Sequence, residues 1–145
     1  MRVSVAGRAS AVATAVRGPS LYGIANKGGR IRTIGITNTT TTAFAAAIAL
    51  ASAAGTQGAA LTEMKHDGTI NATGPQLTAF NTHTADATIV GAFKQRTIGA
   101  AMGAGADWSF GEEGILIPPG TANGIVIICP TGTGQIFDFE IEWDE

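Results

Sequence analysis

Residues 135–145 read QIFDFEIEWDE, and the alternation in this stretch carries no error. Phe137, Phe139, Ile141 and Trp143 fall on one side, and Asp138, Glu140, Glu142 and Asp144 on the other. Successive side chains of a β-strand point to opposite faces, so the stretch is a strand with an apolar face and an acidic face. Carboxylates two residues apart stand roughly 7 Å from one another and repel, so the row must meet water or a basic partner. The chain holds such a partner. Residues 1–32 contain Arg2, Arg8, Arg17, Lys27, Arg30 and Arg32 with no acid, whereas residues 107–145 contain eight acids and no base. The net charge is only −2, so a nearly neutral chain is strongly polarised along its length. That polarity points to assembly rather than chemistry. The expected assembly contacts are these six bases against Asp138, Glu140, Glu142 and Asp144, paired on an adjacent strand or across a subunit boundary.

At 145 residues the chain fits one domain with a core of its own. Only 14% of residues are charged, against roughly 25% in typical soluble proteins. Low charge with abundant Gly, Ala and Thr suits a surface largely covered by neighbours. A single cysteine, Cys129, excludes an internal disulfide and a cysteine-rich metal site, and its setting in IVIICP reads as a small buried hydrophobe. The opening MRVSVAGRASAVATAV is broken by Arg8 and lacks the apolar run of a secretory signal. The longest apolar stretch, Ala43 to Ala54, is far short of the ~20 residues that cross a bilayer. Without a secretory signal, the sequons at Asn38 and Asn71 carry little weight. The expected setting is a cytoplasm, or a particle assembled there.

Along the chain, residues 1–29 are poor in large apolar groups and read as an extended N-terminal arm, with short strands near Val3–Val5 and Leu21–Ile24. Residues 30–145 read as the folded domain. RIRTIGITN (30–38) predicts a strand with Ile31, Thr33, Gly35 and Thr37 on one side and Arg30, Arg32, Ile34 and Ile36 on the other. TTTTAFAAAIALASAAG is rich in alanine, which favours a helix. Yet Phe44, Ala46, Ile48 and Leu50 alternate with Ala45, Ala47, Ala49 and Ala51, and no charge is present to solvate a helix surface. A strand is the better reading. Turns are expected at His66-Asp67-Gly68 and Gly74-Pro75, and strands at 76–80, 88–93 and 96–102. From Trp108 onward, PPGTANG and PTGTG separate three closing strands. Short strands punctuated by turns, with no amphipathic helix, predict an all-β fold. The expected form is an antiparallel β-sandwich, jelly-roll-like, of about eight strands.

Catalytic signals are thin. His66 and His83 stand in no HxH or HExxH spacing, and no GxSxG surrounds a serine. ANKGGR and PTGTGQ lack the Lys-Ser/Thr ending of a phosphate loop, and the second lies between two strands instead of opening a helix. The acidic row is spaced along a strand, a poor geometry for closing around a hard cation. The basic third has Tyr22 as its one aromatic, and its charges stand singly in a chain of pI near 5.6. Nucleic acid is therefore not an expected partner. No catalytic residue, metal or cofactor is expected.

Two stretches carry a family resemblance. RTIGITNTTTTAFAAAIALASAAGTQGAALTEM (32–64) and WSFGEEGILIPPGTANGIVIICPTGTGQIFDFEIEWDE (108–145) resemble small virion-associated proteins of tailed bacteriophages and prophages. The shared features are a TNTT strand, an Ala-rich strand, a GTxGAALTE turn, W-x-F-G, an IPPGTANGI hairpin, and TGTGQ leading to an aromatic-acidic strand. The resemblance implies a jelly-roll-like structural protein with no catalytic residues, attached to a phage particle as a capsid decoration or cement protein. Its implied partners are copies of itself, as a homo-oligomer such as a trimer, and a major capsid protein. Its implied place is the capsid surface, after synthesis in the host cytoplasm. The rival reading is a tail- or head-fibre-associated β-sandwich that binds a receptor or glycan. That role calls for an aromatic platform, and Trp108, Trp143 and Tyr22 are the only Trp and Tyr residues.

Overall fold

The computed structural model describes residues 1–66 and 77–145. Among the described residues every regular element is a strand. In chain order they are β1 (Arg2–Val12), β2 (Ser20–Gly23), β3 (Gly29–Asn38), β4 (Phe44–Ala53), β5 (Thr56–Gln57), β6 (Met64–Lys65) and β7 (Leu77–Phe80). There follow β8 (His83–Ala85), β9 (Thr88–Ile98), β10 (Gly105–Ser109), β11 (Ile115–Ile117), β12 (Gly124–Ile128) and β13 (Thr133–Asp144). The first sheet runs β10-β3-β13-β1-β6, with β11 also paired to β3, and the second runs β7-β2-β12-β4-β9. A small pair, β5-β8, stands apart. All pairings are antiparallel.

One hydrophobic cluster draws on both large sheets. Val3, Val5, Ile34, Ile36, Phe137, Phe139, Ile141 and Trp143 come from the first, and Leu21, Phe44, Ile48, Ile125 and Ile127 from the second. β13 lies between β3 and β1, so both of its edges are hydrogen-bonded. Its four large apolar side chains are buried, while Asp138, Glu140, Glu142 and Asp144 stand on the opposite face, as the alternation requires. Each such burial contributes roughly 1.5–3 kcal/mol.

The expected N-terminal arm is corrected. Arg2–Val12 pairs with β13 along its whole length, from Arg2 opposite Asp144 to Val12 opposite Thr133, and with β6 on its other side. Val3, Val5, Ala9 and Ala11 alternate inward and are buried. Gly7 leaves the space that the Phe139 ring occupies, since a Cβ there would lie 2.7 Å from that ring. Small residues, which read as the mark of an arm, instead fit this strand beneath a large neighbour. β2 joins the second sheet, so the first 29 residues supply a strand to each of the two large sheets.

β3 departs from strict alternation. Glu142 pairs with Thr33 and Trp143 with Ile31, so Arg32 is the extra residue of a β-bulge. The bulge lets Ile31, Ile34 and Ile36 all reach the same core. β4 is a strand, as its alternation predicts, with Phe44, Ala46 and Ile48 in the shared core and Ala51 packed with Tyr22, Ala87 and Val126. Leu50 departs from that face and is 38% exposed. The strands expected at 88–93 and 96–102 are one strand, β9. Gly120, in the PPGTANG turn, and Gly134, at the start of β13, have φ of 121° and 104°, where a side chain would be strained.

Asn38 is fully buried. Its Nδ2 donates to the carbonyls of Thr42 and Gly99, both at 2.9 Å, and its Oδ1 accepts from Thr40 N at 2.8 Å. The TNTT stretch is thus the end of β3 and a bend organised by one buried asparagine rather than an accessible sequon. The sequon at Asn71 and the turns read at Asp67-Gly68 and Gly74-Pro75 lie outside the described residues.

Candidate assembly surface

The outer face of the first sheet is a lattice of charges set by strand register. Arg8 stands opposite Asp138 and grips it twice, Nε to Oδ1 at 2.6 Å and Nη2 to Oδ2 at 3.1 Å. Arg2 stands opposite Asp144, donating from Nε to Oδ1 at 2.6 Å, and lies 3.5 Å from Glu142. From the other flank of β13, Arg32 Nε donates to Asp144 Oδ2 at 2.5 Å. Thr33 Oγ1 donates to Glu142 Oε2 at 3.1 Å. Hydrogen bonds from Arg2 and Arg32 hold the Asp144 carboxyl below its usual range, and Arg8 does the same for Asp138. The guanidinium groups of Arg2 and Arg8 are raised in turn.

The anticipated basic–acidic pairing is therefore made within one chain. Arg17 bonds to Asp86 at 2.6 Å, a partner that sequence reasoning missed because only the fold brings the two together. Arg30 donates from Nη1 to the Glu113 carbonyl at 2.6 Å. Arg32 also donates to the carbonyls of Gly111 and Glu112. Lys27 is exposed in a turn closed by backbone bonds between Ile24 and Lys27.

Internal pairing leaves charge over in two places. On the first sheet, Asp107 (β10) and Glu140 (β13) are both paired in register with Gly35, one on each side. Because Gly35 has no side chain, the two carboxylates lean over it. A Cβ placed there would lie 2.9 Å from Asp107 Oδ1 and 3.0 Å from Glu140 Oε1. Both residues are exposed, and neither takes part in a salt bridge among the described residues. Asp107 was legible in principle, since GADWS alternates with Trp108 pointing inward.

The other surplus is basic and lies on β9. This strand forms one edge of the second sheet, and nine of its residues are exposed. Two of its residues, Val90 and Phe93, have no register partner on β4 and sit at irregularities in the pairing, 75% and 38% exposed. Lys94 has no salt-bridge partner among the described residues, while Arg96 lies 5.9 Å above the Trp108 ring. The opposite edge of that sheet is covered. On β7 the N–H groups of Leu77 and Ala79 donate to Glu145 Oε1 at 3.3 Å and Glu63 Oε1 at 3.2 Å. The carbonyl of Ala79 accepts from Leu61 N at 2.9 Å.

The histidines are placed separately. His66 is exposed and meets Ser4 Oγ at 2.9 Å. His83 is buried, with Nε2 2.8 Å from the Ser20 hydroxyl and its ring edge-on to Tyr22. Burial lowers the His83 pKa, so the neutral imidazole fits this setting. A cavity of about 380 Å³ beside it is lined by Arg8, Arg17, His83, Ile127 and Cys129. Burial pushes the Cys129 thiol up to about 12, which disfavours the nucleophilic thiolate. Among the described residues no three His, Cys, Asp or Glu side chains are grouped to hold a metal ion.

Comparison of the chain with protein-family models, curated proteins and solved structures finds no match.

Proposed function

We propose that this chain is a non-enzymatic structural subunit of a tailed-phage particle, decorating or cementing a shell built from a major capsid protein. The strand order carries the reading. The principal strands in chain order are β1, β2, β3, β4, β9, β10, β12 and β13, and they divide into β1-β13-β3-β10 and β2-β12-β4-β9. Numbered from one to eight, these run 1-8-3-6 and 2-7-4-5, an order that supports the jelly-roll reading. A core shared by both sheets supports the sandwich arrangement. Viral capsid proteins use this architecture repeatedly, although fold alone leaves the function open. The resemblance, over about residues 30–62 and 97–145, supports the link to phage particles. Low charge and a β9 edge without a second strand partner among the described residues fit a subunit that assembles as a homo-oligomer on the capsid surface.

The glycan-binding alternative asks for exposed aromatic rings. Trp108, Trp143 and Tyr22 are 4%, 0% and 1% exposed, so this platform is absent at the three positions where it was sought. Four arginines already engaged by carboxylates, Arg2, Arg8, Arg17 and Arg32, offer little to a nucleic-acid backbone.

Mass spectrometry of density-purified particles tests the proposal. The chain is expected in a fixed ratio to the major shell protein. Its absence from particles, together with binding in a glycan array, would replace this reading with the receptor-binding one.

A further inference from the structure

The two edges of the second sheet are treated differently. The β7 edge is closed by Glu63, Glu145 and the backbone of Leu61. Among the described residues β9 has no strand partner other than β4, and it carries Lys94, Val90 and Phe93 in exposed positions. An open edge strand offers unpaired backbone groups and is a common place for association. Lysine and irregular pairing both discourage plain edge-to-edge pairing, and β9 has both. Its partner is better sought on a surface of another kind.

Charge identifies that surface. β9 contains Lys94 and Arg96 and no acid. Arg96 lies over the Trp108 ring, which leaves Lys94 as the exposed cation of β9 with no salt-bridge partner among the described residues. The Asp107–Gly35–Glu140 notch is the complementary feature: two exposed carboxylates converge over a residue without a side chain. Each faces the other's charge with no cation between them among the described residues. A lysine ammonium has three donors and fits two carboxylates at once.

We propose that copies of this chain associate head to tail, the β9 edge of one copy setting Lys94 into the notch between Asp107 and Glu140 of the next. Val90 and Phe93 supply the apolar part of the contact. Because the two patches differ, the contact is heterologous and repeats from copy to copy until a ring closes. This rests on the assembly role proposed above and names the surface that would serve it.

The test is a charge reversal read by light scattering over a concentration series. Lys94→Glu and Glu140→Lys should each weaken self-association about tenfold or more, and the double variant should recover most of the loss. Glu140→Lys removes one of two facing acids, so its unfolding midpoint should not fall; should Lys94→Glu fail to fold, Lys94→Ala takes its place. A Lys94→Cys chain mixed with a Glu140→Cys chain should form a mixed disulfide under mild oxidation. A monomeric wild type, single variants that associate unchanged, or a double variant no better than the worse single would each overturn the proposal. So would ready self-crosslinking of a Val90→Cys chain without the mixed crosslink. Particle composition is measured separately. A monomer found in purified particles removes this inference and leaves the structural role, whereas an oligomer absent from particles does the reverse.

Discussion

Arg32 and Asp144 are joined by a 2.5 Å bond from Nε to Oδ2, and the bulge on β3 is what makes it possible. The extra residue turns Arg32 to the outer face while Ile31 and Ile34 both stay in the core. Arg2 holds the other oxygen of the same carboxylate. The Arg32 and Asp144 side chains are 20% and 29% exposed, the least exposed of the salt bridges.

A double-mutant cycle on this pair should show coupling. Arg32→Met and Asp144→Asn together should cost less than the sum of the two singles, by about 0.5–1 kcal/mol in urea unfolding. Additive effects would mean that the bond adds nothing to stability.

β1 is structural, so removing residues 2–12 should abolish cooperative folding rather than release a dispensable arm. That deletion exposes one full edge of β13 and uncovers Phe139. Circular dichroism and a thermal scan would decide it. A truncated chain with a normal unfolding transition would show that β1 is not needed for the fold.

Glycine substitutions should divide sharply. At Gly18 a Cβ would lie 1.9 Å from the Ile127 carbonyl oxygen, a backbone atom with little freedom to move. Gly18→Ala should destabilise by more than about 2 kcal/mol. At Gly99 the nearest atom is the Ala104 Cβ at an ordinary 3.5 Å, so Gly99→Ala should stay within about 0.5 kcal/mol of wild type. Equal unfolding midpoints for the two variants would contradict this packing.

C-terminal and N-terminal strands differ in how plainly the sequence announces them. In β13, Phe137, Phe139, Ile141 and Trp143 alternate with acids, so both the strand and its buried face were legible. In β1 the inward positions include Gly7, Ala9 and Ala11, and their fit becomes visible only against Phe139. Strict alternation also failed at Arg32, because a bulge is set by pairing with a distant strand. Charge asymmetry suggested pairing on an adjacent strand or across a subunit boundary, and the register brings Arg2, Arg8 and Arg32 to Asp138, Glu142 and Asp144 within the chain. The Arg17–Asp86 bond joins two connecting segments and the notch over Gly35 joins three strands, all far apart in sequence, which no local pattern encodes.

The acid and neutral sides of the stability profile should have different origins. Burial, with the Glu145 charge nearby, pushes the Glu63 carboxyl from 4.5 up to about 7. A carboxyl that holds its proton more tightly when folded adds stability below about 4.5 and loses it as pH rises through about 7. Asp138 and Asp144 act in the opposite sense: their lowered values add stability above 3.8 that is lost as pH falls below it. Glu63→Gln should therefore raise the urea midpoint relative to wild type at about pH 8 and give no gain at about pH 4. The same shift at both pH values would rule out Glu63 titration as the cause.

Rebinding to particles tests the central claim most directly. Purified chain is added to particles that lack it, and bound copies are counted as its concentration rises. A structural subunit should saturate at a fixed number set by the symmetry of the shell and should raise the temperature at which particles break. Failure to bind, or binding without saturation, would contradict a structural role on the capsid.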